Sequence, residues 1–242
     1  MTGAGIEATL PRRASRATSM LEEALRDAPA VDLSWIERPL GENGWELAPD
    51  LLRLLAALVA RVKPRHIVEF GSGLSTLVFA YAAARSGECL ISSIDHDPKF
   101  SRASLDALAT AEGADLVSLQ FAPLVARVRG GGLHPSYQVD ANKLACSSPA
   151  DIILIDGPPG VLGGRMGMLY QALEYAQSGS IVLLDDAERD DEQKALAAWN
   201  LQLGDAVQIH RPAGFARGLA AMILAAPNTA RIRMAPPPRP TR

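Results

Sequence analysis

Ile67 to Thr76 reads IVEFGSGLST: an apolar run passes directly into Gly71-Ser72-Gly73 and then into residues at helical spacing. A turn of that composition lets a ligand touch the backbone and leaves free N–H groups at a helix start. No lysine follows, so the segment is not a triphosphate loop, and Thr76 stands where a dinucleotide fingerprint carries its third glycine. Asp95, in SSIDHDP, ends the next apolar run 24 residues after Gly71, where a carboxylate accepts the hydroxyls of a ribose. Glu69 adds negative charge beside the turn, which suits a cationic, amino-bearing ligand better than a pyrophosphate. Asp156 ends DIILID, and Asp185 and Asp186 end IVLLDD. Carboxylates gathered at the ends of neighbouring strands repel unless a cation, a proton or a basic substrate compensates them, and a divalent ion such as magnesium, manganese or calcium is the simplest compensator. His134 and Tyr137, in a Gly-rich loop, are the remaining candidates for proton transfer or substrate contact.

The elements that position these residues alternate in type. Helical spacing of Leu51, Leu54, Leu55, Leu58 and Val62 stops at Pro64. Strands are expected at His66–Phe70, Cys89–Asp95, Asp115–Phe121, Asp151–Asp156 and Ser180–Asp185, with helices at Leu74–Ala84, Lys99–Ala111, Met166–Gln177 and Asp190–Leu203. Ala206–His210 and Leu219–Leu224 read as a closing antiparallel hairpin. Runs such as IILI and IVLL demand burial on both faces, so the fold class is α/β: a Rossmann-like, doubly wound, mostly parallel seven-stranded sheet with helices on both faces. Residues 1–44 form a partly helical, peripheral extension with a helix around Ser19–Arg26; 45–226 carry the main domain; 227–242 form a Pro/Arg-rich tail expected to be disordered. Trp199 reads as core, Trp45 as a pocket cover or a packing anchor, and Arg189 as a partner of Glu192 or of a substrate carboxylate.

Hydrophobic residues make up 48% and charged residues 21%, which excludes a wholly disordered chain. Net charge is −3 with no basic run, so neither nucleic acid nor an anionic membrane is an expected partner. Cys89 and Cys146 match no metal-ligand or CxxC spacing and read as buried thiols, a disulfide between them being the alternative. With no apolar leader at the start, a cytoplasmic location is expected.

The glycine turn and its acid resemble those of class I S-adenosylmethionine-dependent methyltransferases. The family's E-x-G-x-G motif appears as Glu69, Gly71 and Gly73, and the acid after its second strand as Asp95. The resemblance spans about residues 45–224 and implies S-adenosylmethionine held by Glu69, Gly71, Ser72, Gly73, Ser75, Thr76, Asp95, His96 and Asp156, with His96 or Asp97 beside the adenine. GSGxST, IDGPPG and LLDDAxRxxE followed by a helical tryptophan resemble one subgroup, with Arg189, Glu192 and Trp199 at the later positions. The wider group is similar to metal-dependent sugar and catechol-type O-methyltransferases. That likeness implies Asp156, Asp185 and Asp186 as ligands of Mg2+ or another divalent cation, and methyl transfer to a hydroxyl of a small molecule or peptide. Asp156, His134 and Tyr137 are its catalytic candidates. Gly157-Pro158-Pro159 only loosely resembles the D-P-P-Y turn of amino-group methyltransferases, so N-methylation is the alternative. An NAD-dependent oxidoreductase on the same strand-turn-helix is another, and a homodimer is left open. Valine at Gly71 or Gly73 is expected to block the cofactor without unfolding the sheet.

Overall fold

A computed structural model describes residues 10–36, 47–87 and 89–225. Trp45 and the tail at 227–242 lie outside the described residues.

Strands β1 (His66–Phe70), β2 (Leu90–Asp95), β3 (Val117–Phe121), β6 (Ala150–Ile155), β7 (Ala176–Asp185), β8 (Val207–His210) and β9 (Leu219–Leu224) form one sheet in the order β3-β2-β1-β6-β7-β9-β8. All neighbours run parallel except β9, which is antiparallel to both β7 and β8. The chain winds outward from β1 to one edge, returns to the centre with β6, and winds to the other edge. Between β1 and β6 the strand order therefore reverses, and the loops at their carboxyl ends part to leave a crevice.

Alternation along each strand sorts the core into two layers. Ile67, Ile91, Ile152, Leu154, Ile181 and Leu183 pack with α1 (Leu10–Asp27), α2 (Pro49–Val62) and α3 (Leu74–Ser86). Val68, Phe70, Ile153, Ile155, Val182 and Leu184 pack with α5 (Met168–Ala172) and α6 (Asp190–Leu203). α4 (Pro98–Leu108) starts at Pro98, with the Asp97 carboxylate capping the N–H of Lys99 at 2.8 Å.

Three expectations change. The Gly-rich stretch before β6 is a separate hairpin, β4 (Leu124–Arg129) with β5 (Gly132–Tyr137). Gly130 and Gly131 supply the positive φ values, 56° and 83°, that a tight two-residue turn needs, and Pro135 sits in a two-stranded ribbon, where its missing N–H is tolerated. The expected long helix over 166–177 shrinks to α5, because Ala176 pairs with Ala150 and pulls the following residues into β7. The Gln177 side chain then donates to Asp151 Oδ1 at 2.8 Å, so tertiary pairing overrides helix propensity. Finally, α1 runs from Leu10 to Asp27 and is not peripheral: Ala14, Ala17, Leu21 and Ala24 are buried in the first core layer. Cys89 and Cys146 are both free, Cys89 buried and Cys146 half-buried. No described helix is long and apolar enough to cross a membrane.

Candidate active site

The turn after β1 is tied to the end of β2. Gly71 has φ +103° and donates its N–H to Ile94 O at 2.8 Å. A Cβ there would stand 3.2 Å from the Asp156 carbonyl carbon, so conformation and crowding both require glycine. Gly73 is extended, with open space where a Cβ would stand. Asp95 Oδ2 accepts from Ser72 N at 2.7 Å and Ser72 Oγ at 3.0 Å, and Oδ1 accepts from Asp97 N at 2.7 Å. Oδ1, with one bond, retains capacity for a ligand hydroxyl.

Glu69 lies behind this turn. By strand alternation it points with Ile67 toward α3, where its Oε1 accepts from the Thr76 hydroxyl and, at 2.6 Å, from Ser93 Oγ. Burial pushes its carboxyl up to about 7, while the hydroxyls of Ser93, Thr76 and Ser75 pull the other way. Thr76 Oγ1 also accepts from Gly73 N at 3.1 Å, so this buried group braces the glycine turn from below.

A cavity of about 350 Å³ opens at the carboxyl ends of β1, β2, β6 and β7. It is lined by Gly71, Ser72, Asp95, His96, Asp97 and Phe100 from the β1–β2 side of the sheet, by Val161, Leu162, Arg165, Asp186, Arg189 and Arg217 from the β6–β7 side, and by Asp156, Gly157 and Tyr137. Of the residues expected to hold a cofactor, Gly71, Ser72, Asp95, His96 and Asp156 line it, whereas Glu69, Gly73, Ser75 and Thr76 do not. Tyr137 is buried and its hydroxyl has no hydrogen-bond partner; neither has His96 Nδ1, and the two rings meet edge-on at 5.9 Å. Both residues line the cavity, and His96 Nδ1 lies 3.6 Å from Asp95 Oδ1, beyond hydrogen-bond reach, so neither group is satisfied among the described residues. His134 does not line it. It stands on β5 three residues before Tyr137, opposite Arg127, and so falls on the other face of the hairpin.

Asp156, Asp185 and Asp186 do converge, with one ligand atom of each within 4.8 Å of the others. Asp186 adopts φ +56°, a left-handed conformation that aspartate tolerates better than most residues. Neither Asp185 nor Asp186 caps α6, whose first turn has no side-chain cap. What joins the acids is Arg165, 5% exposed, which sequence reasoning missed. Its Nη1 donates to Asp185 O at 2.7 Å, and its Nη2 lies 2.6 Å from Asp156 O, 3.0 Å from Asp156 Oδ1 and 3.1 Å from Asp186 Oδ2. Arg189, expected to pair with Glu192, instead lies 3.0 Å from Asp186 Oδ2, while Glu192 is buried 3.8 Å from Arg165 Nε. The signal for Arg165 was a lone cation in the segment between β6 and α5, with nothing in its spacing to mark it.

The electrostatics follow from burial. The Asp156 carboxyl is held well above the usual carboxylate range by burial, with Arg165 opposing and Asp185, Asp186 and Glu69 adding to the rise. Asp185 is pushed up to about 6 by burial and then by Asp186, against the pull of Arg165 and Arg217. As arranged, the acids do not fit a divalent ion, because a guanidinium bonds the carboxylates of Asp156 and Asp186 and the backbone carbonyls of Asp156 and Asp185. The opposite end fits an adenosine-bearing cofactor: an acceptor at Asp95, a glycine turn and two unsatisfied polar groups face one crevice.

Residues 68–187 match a family model described as a methyltransferase domain. Among solved structures the chain is similar to an O-methyltransferase from Bacillus cereus in complex with SAH, at 18% identity and TM-score 0.57, over 85% of this chain and 90% of that one. It is similar to the SAH-bound methyltransferase PaMTH1 of Podospora anserina, at 17% identity and TM-score 0.56, over 85% and 87%. It is also similar to the O-methyltransferase TomG of Streptomyces achromogenes in complex with SAM, at 16% identity and TM-score 0.53, over 84% and 89%. A comparison with curated proteins finds no match. Residues 68–187 thus carry a methyltransferase domain by that match, and the chain shares its fold with these structures.

Proposed function

We propose that the enzyme methylates a hydroxyl group on a small organic acceptor with an apolar body. The observation that carries this reading is that one cavity joins a nucleoside-type end, at Asp95 and Phe100, to an acceptor end where Val161 is 88% exposed and Leu162 47% exposed beside Asp156. O-methylation is favoured over N-methylation by the O-methyltransferases among the similar structures and by a carboxylate, Asp156, at the junction of the two ends. In this reading Gly71, Ser72, Asp95 and His96 would hold S-adenosylmethionine, which would supply an electrophilic sulfonium methyl when bound. The chain's residues align the acceptor oxygen with it and keep water out. Asp156 takes the hydroxyl proton as the oxygen–carbon bond forms and the carbon–sulfur bond breaks. The Tyr137 hydroxyl, buried beside Gly157 without a hydrogen-bond partner among the described residues, orients what lies between the two ends.

Calorimetry with S-adenosylhomocysteine and with NAD+ tests the cofactor, and transfer of a labelled methyl group to a panel of phenols, aliphatic alcohols and amines tests the acceptor. Binding of S-adenosylhomocysteine with label on a hydroxyl is expected. Binding of NAD+ in its place, or label on amines alone, overturns the reading.

A further inference from the structure

The resident cation of the acid cluster is a side chain. We propose that the Arg165 guanidinium occupies the place a divalent ion would take among Asp156, Asp185 and Asp186, and that this methyltransferase binds no divalent ion there and works without one. The inference goes beyond the assignment of the acceptor and stands without it.

Three observations carry it. The first is coordination: Nη2 lies within 3.1 Å of carboxylate oxygens of both Asp156 and Asp186, and Nη1 reaches the Asp185 backbone carbonyl at 2.7 Å, so one planar group bonds two of the acids through their carboxylates and the third through its main chain. The second is burial, since Arg165, Asp185 and Asp186 are each at most 5% exposed and a guanidinium in that position does not withdraw into solvent. The third is fixation from below. Trp199, fully buried in α6, donates its indole N–H to Met166 O at 2.8 Å, and Arg165 O accepts from Met168 N at 2.9 Å at the start of α5. The loop therefore delivers the guanidinium from an anchored backbone. Arg189 lies on Asp186 from the outside, so two cations already serve that carboxylate. Arg165 is in this sense a positioning residue, holding the Asp156 carboxylate at the cavity.

The charge balance makes the inference testable without the acceptor, because removing the guanidinium should turn the same acids into a hard-cation site of three carboxylate oxygens within 4.8 Å. Mn2+ binding is read by electron paramagnetic resonance and thermal shift on the full chain. Wild type is expected to leave added Mn2+ free at millimolar concentration and to melt at the same temperature in chelator and in Mn2+. Arg165→Met is expected to bind Mn2+ at least tenfold more tightly, and folding of that variant only when Mn2+ is present counts the same way. Arg165→Gln, which keeps N–H donors for the two carbonyls without the charge, is the second variant should the first not fold; Arg165→Lys should stay silent to Mn2+. Mn2+ binding by wild type that is lost in Asp185→Asn overturns the proposal, as does an Arg165→Gln variant that folds and gains none. S-adenosylhomocysteine calorimetry on the same wild-type sample keeps the two readings apart: its failure sinks the assigned cofactor and leaves the Mn2+ result to stand alone.

Discussion

Asp95 holds the loop and, in the proposed reading, also the ligand. It accepts from Ser72 and Asp97 backbone N–H groups at 2.7 Å each, so Asp95→Ala should weaken S-adenosylhomocysteine at least tenfold and also lower stability by roughly 1–3 kcal/mol through the donors it strands. Calorimetry and thermal melting on the same sample read the two effects; unchanged affinity would remove Asp95 from the cofactor. Glu69 gives a pH signature. Its folded carboxyl titrates at about 7, above the ordinary 4.5, so the stability of its neutral form is present below about 4.5 and lost as pH rises to about 7. Glu69→Gln keeps the acceptor for Thr76 and Ser93 and cannot ionise. The variant should gain on wild type across that window and be more stable above pH 7, by about 3 kcal/mol at most. Parallel melting curves for the two proteins from pH 5 to 8 would contradict this.

At the scale of elements, the glycine turn separates into a part that folds and a part that admits a ligand. Gly71→Ala meets both a positive φ and the Asp156 backbone and should cost roughly 1–3 kcal/mol before any effect on cofactor, whereas Gly73→Ala, extended and unobstructed, should leave the melting temperature within a degree or two. Equal melting temperatures for the two variants would refute the division. The parallel sheet, α6 and the closing strands were legible because period and burial are local properties: IILI and IVLL have one stable use, and Asp190–Leu203 is the helix its spacing requires. The β4–β5 hairpin was not legible, since Gly130-Gly131-Gly132 and Pro135 all read as loop until strand pairing supplies a reason for them. At the site, Asp95, Asp156 and Asp186 were readable from their places at strand ends. Glu69's turn toward α3 follows from strand parity, which sequence also contains. Arg165 was not readable, because its partners come from β6 and β7 and nothing within its own loop singles it out.

Across the whole molecule, α1 decides where the core ends. Ala14, Ala17, Leu21 and Ala24 close a layer shared with α2 and β7, and Arg13 reaches Gln177 at 3.5 Å. Removing residues 1–30 should therefore uncover apolar surface on α2 and β7, lower the melting temperature by many degrees and promote association. Size-exclusion chromatography of the truncated chain checks this, and a monomer of unchanged stability would return α1 to the periphery.

That docking also orders events in time. The first described helix to leave the ribosome packs on β7, whose residues emerge about 150 positions later, and β7 itself pairs with β9, finished only at Leu224. Until the C-terminal strands appear, α1 and α2 have no sheet of full width to cover. Completion of this fold thus waits for β9, and nascent chains stalled before β7 should remain protease-sensitive in α1, while those in which β9 has emerged should not.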